Sequence, residues 1–298
     1  MKRLLTLGVI VLVGAASISV AAYQAPAGST ARTLDIVKVK DNLYVITSSS
    51  PMPRELFSGG NVAVFITDAG VTLVDTKLAG WGPALLEKVK SVTSKPVTTI
   101  INTHTHGDHT GNNDAFGKVE VVAHENTRAN MAKMDAFKGK EQFLPGKTYR
   151  DKLTIGSGKD QIDLYHFGAA HTNGDTVIVY PALRVLHMGD MFAWKDGPLC
   201  DRNNGGSCVA YPKTLANVMA GIKNIDVVIP GHSPMMTMKD VQGYQQFMTA
   251  LVAAAQAAMS AGKTVDEAFA AFDIAKYPGY KNERVKASMQ AVFDELKK

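Results

Sequence analysis

This chain of 298 residues has only two cysteines, no run of basic residues and no internal punctuation. Cys200 and Cys208 leave room for one disulfide at most. The formal net charge is +5, and Lys2 and Arg3 supply two of those charges. Without a basic stripe interleaved with aromatics, so mild an excess gives no footprint for nucleic acid. No linker, charge block, low-complexity tract or short repeat divides the chain beyond its first 33 residues, so 34–298 reads as one large α/β domain.

The N-terminus carries a different signal. Met1-Lys2-Arg3 is a basic head, Leu4 to Val20 is almost unbroken apolar and small, and Ala21-Ala22 closes it. That pattern reads as a secretory signal peptide over 1–22, because the run falls short of the ~20 residues a membrane span needs and ends on small residues. The expected location is periplasmic or secreted, with no stable membrane association after cleavage. Residues 23–33, rich in Pro, Gly, Ser and Ala, read as a flexible lead-in. In an exported protein the two cysteines are expected to pair; the rival reading makes them thiolate zinc ligands.

The centre of the chain is Thr103-His104-Thr105-His106-Gly107-Asp108-His109. It follows Val97–Ile101, whose apolar and β-branched residues read as a buried strand. Packing does not ask for three imidazoles and a carboxylate at the mouth of an apolar strand. His104 and His106 are two apart, so an extended backbone points them the same way, and Gly107 lets the chain turn before Asp108 and His109. Imidazole and carboxylate suit zinc, and iron or manganese less selectively.

Similar endings recur. Ile162–His166 reads as a strand leading to Gly168-Ala169-Ala170-His171, where small residues let the backbone approach a metal. Val185–Gly189 ends at Asp190, whose two carboxylate oxygens can face two ions. Val227–Pro230 runs through Gly231 to His232. Three histidines lack this logic: His124 reads as a helix-start residue, His166 as packed on a strand with one hydrogen bond, and His187 has the wrong strand parity to join Asp190.

The motif His-x-His-x-Asp-His resembles the signature of the metallo-β-lactamase superfamily of hydrolases. The order strand-to-Asp75, main cluster, His171, Asp190, His232 also resembles that family's. The resemblance implies an αββα sandwich, in which two mixed sheets pack together with helices outside. It implies His104, His106 and His171 on one metal, Asp108, His109 and His232 on a second, and Asp190 bridging. Two zinc ions so held imply hydrolysis by a metal-bound hydroxide, with Asp108 catalytic. The expected partner is a small molecule with an amide or ester bond, such as a β-lactam or a lactone. A glyoxalase II-type thioester hydrolase and an iron-dependent oxidoreductase on the same scaffold are the alternatives. For the loops beside the site, Arg54, Phe57, Trp194 and Lys195 are the candidate wall residues. The sequence leaves oligomeric state open.

Overall fold

Two faces of alternating apolar residues decide the sheets. The computed structural model describes residues 34–48 and 56–297, so the signal peptide, the lead-in and Arg54 lie outside the described residues. Twelve described strands form two sheets. The larger runs in simple sequence order: β1 (Ile36–Lys40), β2 (Leu43–Ile46), β3 (Val62–Ile66), β4 (Val71–Val74), β5 (Val97–Ile101), β6 (Glu120–His124) and β7 (Lys147–Tyr149). It is antiparallel as far as β4 and parallel from there on. The smaller is ordered β12 (Val227–Pro230), β11 (Val185–Gly189), β10 (Val177–Tyr180), β9 (Ile162–Tyr165), β8 (Lys152–Ile155). Only its β11–β12 pair is parallel.

Period-two alternation gives the inner strands, such as β3 and β4, two buried faces. Ala63 and Phe65 of β3 point between the sheets, where they meet Leu164, Ile178 and Ile229 of the smaller sheet. Val62 and Val64 point outward, onto Trp81, Leu85 and Val89. The last two lie on α1 (Gly82–Lys90), four residues apart and so on one face, and Pro83 fits the first turn, where its missing N–H costs nothing. The outer face of the smaller sheet, including Leu186, Met188 and Val228, is covered by α4 (Tyr211–Gly221), α5 (Met238–Ser260), α6 (Val265–Ala271) and α7 (Val285–Leu296). The order helix, sheet, sheet, helix is the expected αββα sandwich.

A capping box at Thr264–Glu267 opens α6, and a second at Thr237–Asp240 opens α5. Two local features differ from the sequence reading. Lys147–Tyr149 forms a strand that the sequence does not announce, because three residues are too few to show a period. The turn expected at Gly107 is a one-turn helix, α2 (Gly107–Thr110). A further short helix, α3 (Glu125–Met131), follows β6.

Candidate metal centre

The carboxyl ends of β4, β5, β9, β11 and β12 all open onto one edge of the sandwich, where α/β proteins place their ligands. Asp75 follows β4, His104–His109 follows β5, His171 follows β9, Asp190 follows β11 and His232 follows β12. The fold therefore gathers the expected side chains from both sheets.

Three ring nitrogens meet on one side. His171 Nε2 lies 2.8 Å from His106 Nδ1 and 3.2 Å from His104 Nε2. Asp108, His109 and His232 form a second group, with His109 Nε2 3.2 Å from His232 Nε2 and Asp108 Oδ2 3.3 Å from the latter. Asp190 stands between them. Its Oδ1 is 3.3 Å from both His109 Nε2 and His232 Nε2, and its Oδ2 is 3.6 Å from His171 Nε2.

The outward nitrogen of each ring explains why the inward ones face each other. His171 Nδ1 donates to the Leu199 carbonyl at 2.7 Å, and a carbonyl can only accept. His106 Nε2 donates to Asp201 Oδ2 at 2.7 Å, and His109 Nδ1 to Asp75 Oδ2 at 2.7 Å. Thr103 Oγ1 donates to Asp75 Oδ2, so it accepts from His104 Nδ1 at 2.9 Å. Ser48 Oγ faces His232 Nδ1 at 3.2 Å. With the proton held outside, the inward nitrogens of His104, His106, His109 and His171 present lone pairs, the tautomer that metal ligation requires.

The electrostatics point the same way. Burial holds His104 well below its ordinary value, and the neighbouring imidazoles add to the shift. Burial takes His171 down to about 4. Both rings are thus neutral at pH 7. On the other side, burial opposes charge on His109, but the carboxylates of Asp190, Asp108 and Asp75 overcome it and raise its pKa well above the usual imidazole value. Burial opposes ionised Asp190 too, yet His232 and His109 keep it well below the carboxylate range. Three carboxylates thus call for positive charge at this point, which a divalent cation would supply in place of a proton. Asp190 Oδ1 is buried and makes no hydrogen bond among the described residues, an expensive state unless something else coordinates it. Lone pairs, negative charge and an orphaned oxygen converge, so the residues fit a pair of metal ions.

The surrounding backbone is shaped to this packing. Asp75 and Lys77 both have left-handed φ, 68° and 66°, a strained choice for residues with a Cβ. Asp75 is thereby held under Thr103 and His109, taking 2.8 Å bonds from the Thr103 N–H and hydroxyl. Gly60 packs against the His109 ring and Gly231 against Asp190 Oδ1, and a Cβ at either would overlap those atoms.

A cavity of about 250 Å³ opens over the cluster, and its lining includes Phe57, Asp108, Trp194, Leu199, His232 and Arg284. Of the expected wall residues, Phe57 and Trp194 are here, with ring centroids 5.7 and 5.3 Å from that of His232. Lys195 is not: its Nζ is tied to Asp240 Oδ1 at 2.6 Å. The three histidines set aside remain outside the cluster. His124 caps α3, accepting from Asn126 N at 3.2 Å. His166 stacks on it at 4.0 Å and bonds the Asp175 carbonyl. His187 is buried on β11, its Nδ1 accepting from Gly189 N. Cys200 and Cys208 are disulfide-bonded. The sequence reading missed Asp201, Leu199, Lys77, Ser48 and Arg284, and only the place of Asp201 and Leu199 beside Cys200 hinted at two of them.

The family model described as "Metallo-beta-lactamase superfamily" matches residues 57–232. The chain is 24% identical over 200 residues to the metallo-beta-lactamase type 2 of Bacteroides fragilis, covering 67% of this chain and 79% of that protein. It is 27% identical over 239 residues to the 2,4-dinitroanisole O-demethylase subunit alpha of Nocardioides sp. (strain JS1661), covering 77% of this chain and 68% of that protein. The solved metallo-beta-lactamase from Pontibacter korlensis superposes with a TM-score of 0.62 at 21% identity, over 73% of this chain and 99% of that one.

Proposed function

This chain belongs to the metallo-beta-lactamase superfamily, and from that premise we infer that it is a dinuclear zinc hydrolase of amide or ester bonds, β-lactams and lactones among them. One observation carries the reading: five imidazoles, four of them with their protons held outward, meet two carboxylates beneath a single cavity. In this reading His104, His106 and His171 would hold one ion and Asp108, His109 and His232 the other, with the Asp190 carboxylate available to either. Bound there, zinc supplies Lewis acidity, acidifying water near neutral pH and drawing charge from the scissile carbonyl oxygen.

The chain's own groups supply orientation and exclusion. Asp108 lines the cavity, and although burial opposes its charge, His109 and His232 keep its carboxyl well below the ordinary range. It is therefore an anion at pH 7, able to accept a hydrogen bond from the attacking water and fix its direction. Asp75, Asp201 and the Leu199 carbonyl hold the rings in one tautomer and one orientation. Phe57, Trp194 and Leu199 present an apolar wall that displaces bulk water from the reacting bond. The disulfide fits an oxidising compartment, in keeping with export over a cleaved 1–22 segment and a mature domain from residue 34.

The test is metal analysis joined to a substrate panel of β-lactam, lactone, thioester, phosphodiester and aryl methyl ether. About two zinc ions per chain and turnover of a β-lactam or lactone are expected. Asp108→Ala and His171→Ala should each lower that turnover at least about 100-fold. A metal content near zero after gentle purification, or full activity in both variants, would remove the assignment. Stoichiometric iron with redox turnover would replace it by the oxidoreductase alternative.

A further inference from the structure

Two of the acceptors that orient the imidazoles sit on the irregular segment after β11, and the disulfide does not hold both. Leu199, whose carbonyl takes the His171 Nδ1 proton, precedes the Cys200–Cys208 ring. Asp201, which takes the His106 Nε2 proton, lies just inside it. A carbonyl or carboxylate on a loop is only as fixed as the scaffold that carries the loop. Here that scaffold is α7, which lies beyond the family match over 57–232.

Ser288 and Glu295 are two helical turns apart, so they share one face of α7. Ser288 is buried, and its Oγ lies 2.7 Å from the Pro198 carbonyl and 3.0 Å from that of Arg284 on its own helix. A hydroxyl has one proton, and the nearer carbonyl, next to Leu199, takes it. The two segments touch so closely that a Cβ at Gly197 would overlap Ser288 Oγ and the Arg284 backbone. At the far end of the ring Glu295 takes both flanks of Cys208. Its Oε1 accepts from the Ser207 hydroxyl and its Oε2 from the Val209 N–H at 3.2 Å. Ser207 N in turn donates to the Ala170 carbonyl at 2.9 Å, beside His171. The helix thus grips the loop before Leu199 and after Asp201, and the loop grips two rings. We infer that Ser288 and Glu295 are positioning residues for the His104, His106 and His171 group, acting through the Leu199 carbonyl and the Asp201 carboxylate. His109 takes its orientation from Asp75, which hydrogen-bonds nothing on α7 among the described residues. The helix therefore serves one ligand group and not the other. This inference rests on the two-metal reading for what the rings hold, but not for how they are held.

Histidine-nitrogen NMR of the protein, zinc-loaded and after chelation, tells which ring nitrogen carries the proton. In the wild type a single tautomer is expected for His106, His109 and His171. After chelation, Ser288→Ala and Glu295→Ala should give His106 and His171 mixed tautomers and leave His109 in one. A chelator should strip one zinc equivalent from either variant at least about fivefold faster than from the wild type, with the other within about twofold. Glu295→Gln still accepts from Ser207 and should fall between Glu295→Ala and the wild type. Asp294→Ala removes the same charge from an exposed neighbour that bonds Gln290 of its own helix at 2.8 Å, and should match the wild type. Unchanged tautomers in both alanine variants overturn the proposal. So does loosening of His109 in step with His106 and His171, which would make α7 a support of the fold in general. Should Glu295→Ala fail to fold, Ser288→Ala and Glu295→Gln decide the matter. Failure to take up two zinc ions would sink the two-metal reading, while the tautomers of the chelated protein still decide the role of α7.

Discussion

Lys77 puts an ammonium where no water reaches. It is fully buried, and its Nζ donates to the Thr47 carbonyl at 2.7 Å, with Ser58 Oγ at 3.4 Å. Burial brings its pKa down to about 7, against the pull of Asp108 and Asp75. The unfolded chain keeps a lysine near 10.4, so between those values it binds more protons than the folded one. Stability must therefore rise with pH across that interval, since the folded state is relieved of a buried charge. Between pH 7 and pH 9 the gain should be about 2 kcal/mol, read by denaturant titration at both values. Lys77→Met should abolish this slope; an unchanged slope would show that Lys77 is not its source. The same residue scale holds the limits of sequence reading. His104, His106, Asp108 and His109 announce themselves by spacing, whereas Lys77 looks like any other lysine until the fold closes over it.

At the scale of elements, the loop after β11 does more than wall the cavity. The Cys200–Cys208 disulfide closes a short loop that contains Asp201 and is preceded by Leu199. Asp201 N donates to the His171 carbonyl at 2.8 Å and Ser207 N to that of Ala170 at 2.9 Å, so the loop is laced to the His171 segment. It delivers the acceptors for His106 and His171 but none for His109, whose partner Asp75 follows β4. Reduction should therefore weaken one group of ligands selectively. Thiol titration should find no free thiol before reduction. After it, or in the Cys200→Ser/Cys208→Ser double variant, a chelator should remove the first equivalent of zinc about tenfold more readily, with the second less affected. Equal loosening of both equivalents, or of neither, would count against this division.

On the scale of the whole molecule, the cluster joins two sheets. His109 and His232 are 123 residues apart and belong to opposite halves of the sandwich. A metal pair held between them would bind the folded chain and not the unfolded one, so it must stabilise the fold. At free zinc about 1,000-fold above Kd the gain is about 4 kcal/mol, which for a domain of this size raises Tm by roughly 10 °C. Calorimetry of zinc-loaded and chelator-treated protein measures it, and matching Tm values would argue against ions shared between the sheets.

The sequence by itself determined the strands that lead into the cluster and the loops that follow them, but not the short strand Lys147–Tyr149. Those strands and loops follow from local rules: period-two alternation, turn residues, and histidines packed too densely for chance. It also named the three histidines that would stay outside the cluster, because strand parity and helix-start position are local as well. Only the tertiary structure decided what surrounds the ligands. His106 meets Asp201 across 95 residues, and Trp194 meets Arg284, the residue before α7. Such partners carry no periodic signature. A lone Asp or Arg is free to face water until packing leaves it one direction to point, and that direction is a property of the assembled sandwich.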